Sequence, residues 1–200
     1  MHVRYFRAAT LATSVAIALL AMGCSQMSKT AQCKRLIETI NEGVTLASDF
    51  EAENRNFLAS QPKTPAAAAE VVNQAAGVVD QLVTDLGVVG QKLADIQLKD
   101  ENLIEFRQQY AASLQTFSQS LGKGAKGLRN MGQLLESIQA VKPDQIPPEK
   151  AKTLTAEMRA AEKDIRAAGS TSQQTGQEVD KIASEINDYC AVTPAETTQE

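Results

Sequence analysis

From residue 72 to residue 96, apolar or small residues recur at alternating steps of three and four: Val72, Ala75, Val79, Leu82, Leu86, Val89, Leu93 and Ile96. A strand buries every second residue, so this spacing suits only an α-helix with a single apolar seam. A seam that repeats every seven residues also fixes how such helices pack, side by side with a shallow left-handed supercoil.

The same rhythm continues through Leu103, Phe106, Tyr110, Leu114, Phe117, Leu121, Gly124, Leu128, Met131, Leu135 and Ile138. A third run takes in Ala151, Leu154, Met158, Ala161, Ile165 and Ala168, then resumes at Val179, Ile182, Ile186 and Tyr189. Near the N-terminus, Leu36, Ile40, Val44 and Ala47 form a shorter version that Phe50, Phe57 and Leu58 continue less regularly. The chain has no Trp and only 4% aromatic residues, so the core must rest on Ala, Val, Leu and Ile.

Helix ends fall where the chemistry suits them. Thr64 before Pro65 reads as an N-cap followed by a first helical residue whose missing amide is not needed there. Asp100 can cap the next helix, and Pro148 with Glu149 suits a fresh first turn after the Pro143 to Pro148 break. The predicted helices span 29–60, 65–97, 101–141 and 148–190. Short connections make neighbours antiparallel, which gives an all-α fold: an elongated up-down-up-down four-helix bundle with coiled-coil-like packing. The alternative is a three-helix coiled coil with a detached first helix.

The N-terminus has a separate logic. Arg4 and Arg7 precede an apolar stretch from Ala8 to Leu20, and small residues lead to Cys24, the layout of an export signal. The stretch is short of the roughly twenty residues of a spanning helix, so a permanent span is the weaker reading. Ala21-Met22-Gly23-Cys24 resembles the lipobox of bacterial lipoproteins. In that family the cysteine receives a diacylglyceryl group and becomes the mature N-terminus, and Ser25 in place of Asp implies an outer-membrane destination where one exists. Ala21 and Gly23 also fit an ordinary signal-peptidase site, which would leave Cys24 a free thiol.

Cysteine arithmetic separates these readings, because an unpaired thiol is a liability in an oxidising compartment and lipid on Cys24 leaves Cys33 and Cys190 as one pair. In the four-helix topology the start of the first helix and the end of the last lie at the same end, so Cys33 and Cys190 are expected to close the bundle with a disulfide. By loop entropy such a link is worth roughly 5 kcal/mol at most. The expected organisation is a signal peptide at 1–23, an anchor linker at 24–28, the helical bundle at 29–190 and a disordered acidic tail at 191–200.

The mature composition excludes several activities. His2, the only histidine, leaves with the signal, which removes Ser-His and Cys-His catalysis, His-based zinc sites and the Glu-x-x-His di-iron motif of ferritin-like bundles. Removing residues 1–23 takes away two of 20 basic and none of 24 acidic residues, leaving a net charge of −6, and no helix carries the basic stripe that nucleic acid needs. Glu38 with Glu42 and Asp49 with Glu53 share helix faces, a spacing that a solvated surface explains. No cofactor or metal is expected.

Glycines at 122, 124 and 127 interrupt the third helix, each at up to about 1 kcal/mol against alanine. The stretch lacks the GxxxxGK[ST] pattern and preceding strand of a phosphate loop. Folding the helices back places these glycines level with Gly77, Phe50, Ser172 and Thr175. That layer reads either as close helix approach or a kink at a thin waist, or as a small cavity lined by Phe50, Ser172 and Thr175, and Phe106, Tyr110 and Phe117 read as core. The expected role is that of a non-catalytic, membrane-anchored envelope protein acting by contact with another envelope protein or with itself. A small-ligand module at the mid-bundle layer is the alternative, and a carboxylate-based enzyme the third reading.

Overall fold

The computed structural model describes residues 27–139 and 146–191, which form four helices and, among the described residues, no strand: α1 (Lys29–Ala59), α2 (Pro65–Asp95), α3 (Glu101–Gln139) and α4 (Pro148–Ala191). The signal peptide, Cys24, the stretch from Ala140 to Gln145 and residues 192–200, on which several expectations fell, lie outside the described residues. Each helix begins where its sequence allows. Thr64 Oγ1 accepts from the Ala67 amide at 3.2 Å with Pro65 behind it, and Asp100 Oδ1 accepts from the Leu103 amide at 3.1 Å. Ser28, not foreseen as a cap, accepts from the Ala31 amide at 3.2 Å.

Neighbouring helices run antiparallel in the up-down-up-down order, closed at one end by the Cys33–Cys190 disulfide. The seams face inward. Val79, Leu82, Leu86, Val89, Leu93 and Ile96 from α2 meet Leu103, Tyr110, Leu114 and Leu121 from α3, with Leu36 and Ile40 from α1 and Val179, Ile182 and Ile186 from α4. The apparent gap between Ala168 and Val179 in the α4 seam is filled by Thr175, which is buried and returns its hydroxyl to the Thr171 carbonyl at 2.7 Å.

The four helices are not equal partners. α3 packs along both α2 and α4 over much of its length, α1 lies more lightly on α2, and α1 meets α4 only slightly. The first turns of α1 bury Cys33, Leu36 and Ile40, but from Val44 onward no described side chain of α1 is buried. Val44, expected on the seam, is 43% exposed. Gly43 occupies the seam position instead, because the hydroxyl of the fully buried Tyr110 lies 3.2 Å from where a Cβ on Gly43 would stand. The α1 face beyond it follows Leu46 and Phe50, which are partly buried.

Close approach of α3 to α4 accounts for two of the three α3 glycines. A Cβ on Gly124 would stand 3.3 Å from the Ala168 Cβ, and one on Gly127 would stand 2.9 Å from Ile165 Cγ1. Ser120 Oγ reaches across the same seam to donate to the Ala168 carbonyl at 2.9 Å. Gly122 is different, with nothing within 4 Å of its Cβ position. Gly122→Ala should therefore raise stability by up to about 1 kcal/mol through helix propensity. Gly127→Leu should lower it by about 1–3 kcal/mol through overpacking. Urea denaturation of the oxidised protein checks both, and equal effects of one sign would contradict this packing.

Candidate functional site

The disulfide end is a dense polar and covalent junction. Gln32, buried beside Cys33, accepts at its Oε1 from the Lys99 amide at 2.6 Å and the Asp100 amide at 3.2 Å, and donates from Nε2 to the Met27 carbonyl at 3.0 Å. One side chain thus joins the approach to α1 with the α2–α3 turn. Asp100, already the α3 cap, accepts from the Tyr189 hydroxyl at 3.0 Å, and that hydroxyl accepts from Asn102 Nδ2 at 2.9 Å. The Lys29 ammonium sits 3.7 Å above the Tyr189 ring, and Phe106 packs edge-on to that ring at 5.6 Å. Arg107 donates to the Ile96 carbonyl at 2.7 Å, which satisfies an orphan acceptor at the end of α2.

Of the mid-bundle residues singled out by sequence, the structure brings two together. Phe50 and Ser172 both line a groove of about 520 Å³ between α1 and α4, which is also bounded by Leu86, Tyr110, Leu114, Phe117 and Leu121. Gly77 is exposed and, with Phe50, borders a separate furrow between α1 and α2. Gly124 serves the α3–α4 approach, and Thr175 lies buried on the α4 seam, so neither lines the groove. The single layer expected from helix arithmetic is split because α1 does not follow α4 past the disulfide end.

Tyr110 is the group whose ionisation the fold alters most clearly. Burial pushes its phenol up to about 12, and the negative charge of Asp180 adds to the effect. An acid held in its neutral form has a raised folded-state pKa, so its stabilising contribution is complete below the ordinary value of about 10 and is lost as pH rises through 12. Between those limits the wild-type protein should lose on the order of 2 kcal/mol relative to Tyr110→Phe. Paired urea melts at pH 9 and near pH 12 measure the difference, and parallel pH profiles for the two proteins would count against it.

Among the described residues no aspartate or glutamate is buried, and no group of three or more His, Cys, Asp or Glu side chains is placed to hold a metal ion. Glu38 and Glu42 stand on the exposed face, where Glu42 pairs with Lys92 across to α2, and Asp49 and Glu53 border the α1–α2 furrow. Arg129 and Asp80 form a further exposed interhelical pair. Among the described residues no helix is long and apolar enough to cross a membrane.

Sequence reading missed the Gln32 junction and the Gly43–Tyr110 contact. Gln32 gave no signal, since a polar residue beside a cysteine has no pattern of its own. Gly43 was detectable, standing three residues after Ile40 and three before Leu46, although the apolar rule favoured Val44. Compared with protein-family models, with curated proteins and with solved structures, the chain has no significant match among them.

Proposed function

We propose that the protein is a lipid-anchored component of a bacterial cell envelope, held through Cys24 and acting without catalysis, by contact with another envelope protein or with further copies of itself. What carries the reading is the Ala21-Met22-Gly23-Cys24 motif, and since Lys29 at the start of α1 sits over the Tyr189 ring next to Cys190, that motif precedes the bonded end by only a few residues of chain. An anchor there stands the molecule with its bonded end toward the bilayer. The α1–α2 turn at Ser60 to Thr64, the end of α3 and the start of α4 then lie farthest from the membrane.

Physical chemistry supports such a placement. Several acyl chains at about 0.8 kcal/mol per buried methylene make attachment effectively permanent. The junction of Gln32, Asp100 and Tyr189 is where tension from an anchor enters the fold, and it is the end closed by a covalent bond. With its net charge of −6 once residues 1–23 are removed, the mature chain has no attraction for nucleic acid, and no cofactor is needed for a role exercised by surface contact. Ser25 after the cysteine favours the outer membrane in an organism that has one.

Intact-mass spectrometry of protein extracted from bacterial membranes tests this directly. The expected mass is that of residues 24–200 plus a diacylglyceryl group, with or without an N-acyl chain, increasing by two hydrogens on reduction. A chain found processed at another residue, or carrying no lipid, would remove the anchor and the orientation argued from it.

A further inference from the structure

We infer that the groove between α1 and α4 is a binding site for an apolar small molecule that carries one hydrogen-bonding group and no negative charge. Phe50, Phe117, Leu114 and Leu121 line a space of about 520 Å³, within the range of small-molecule sites. On the α4 side, Gly169, Ser172 and Gly176 follow one another at steps of three and four. Such a row ordinarily marks a place where a second helix comes close, as at Gly124 and Gly127 on α3. Here no helix does, and a Cβ at Gly169 or Gly176 would meet nothing within 4 Å.

An independent observation lies in the same wall. Ser172 Oγ is shut off from solvent and has no hydrogen-bond partner, the one buried side-chain polar atom of that kind among the described residues. Other helical hydroxyls of α4, such as Thr171 and Thr175, return to a carbonyl one turn back. An unmade bond of this kind is unfavourable by itself, and since the hydroxyl holds nothing, rotation about χ1 can turn it toward an incoming polar group at no loss. Charge narrows the ligand further. The lining contains Glu51 and Asp180 and no Lys, Arg or His, so an anion would meet only like charge.

N-phenyl-1-naphthylamine, a fluorescent and uncharged ring system with one N–H, suits this description, and 8-anilinonaphthalene-1-sulfonate is the same body with a negative charge. Both are titrated into the mature, oxidised protein in the detergent that extracts it. The Gly169→Leu/Gly176→Leu protein in the same detergent is the blank for partition into micelles. Saturable binding of the neutral dye at one molecule per chain is expected, absent from the filled variant, with the sulfonate roughly fivefold weaker at low ionic strength. Ser172→Ala, which keeps the groove open, should weaken the neutral dye about three- to tenfold without lowering the melting temperature.

Equal signals from wild type and filled variant overturn the proposal, as does undiminished binding to Ser172→Ala. Sedimentation of the dye-free proteins gives the remaining outcome. A wild-type dimer that the leucine substitutions dissociate would mean that a second copy covers the groove, which also overturns the small-molecule reading.

Discussion

The rest of the structure hangs on the junction where the two ends of the helical chain meet. Cys33 and Cys190 join α1 to α4 covalently, and Gln32 beside the bond holds the α2–α3 turn through two backbone amides. All four helices are therefore fixed relative to one another within a few turns of this point, and the buried leucines and isoleucines of the core follow the register so set. A single apolar seam between long helices resists separation well but tolerates sliding by a heptad. A covalent link at one end, backed by a buried amide that accepts from Lys99 and Asp100, removes that freedom.

Away from the junction, two different solutions to helix packing operate side by side. Between α3 and α4 the backbones come close, with Gly124, Gly127, Ala161 and Ala168 in place of large side chains and Ser120 bonding across. Between α1 and its neighbours the contact is made by a few larger groups, Leu46 and Phe50 above all, and the helix stands off. The first arrangement excludes solvent along a line, whereas the second leaves furrows on both sides of Phe50. Tyr110 marks the transition, fully buried with its hydroxyl against Gly43 at the last point where α1 is in close contact.

Helix number, order and ends were legible because they rest on local chemistry: heptad spacing, Thr64 before Pro65, Asp100 as cap and Pro148 in a first turn. The pairing of Cys33 with Cys190 was legible because antiparallel topology leaves those two residues at one end. What sequence could not convey was the depth at which each helix lies. Val44 satisfies the apolar period as well as Gly43 does, yet the space claimed by the Tyr110 side chain from α3 decides between them. The same limit explains why Phe50, Gly77, Gly124, Ser172 and Thr175, level along the axis, do not share one cavity. Height along a bundle can be counted from residue numbers, but the distance between helix axes depends on which side chains happen to face each other. Anchoring, localisation and contact partners belong to a region and to molecules beyond the described helices, and rest on the Cys24 motif alone.

The exposed outer half of α1 has a mechanical meaning. Past Gly43 it has no buried side chain among those described, and its interhelical ion pair to Lys92 lies at Glu42, still near the root. Segments with few buried apolar contacts open locally at free energies well below that of global unfolding. The molecule is thus graded along its length, with a covalently closed base and an outer half of α1 that lies more lightly on the α2–α3–α4 core. Local opening of the outer half of α1, short of global unfolding, is the consequence of Gly43 being the last buried residue of that helix among those described.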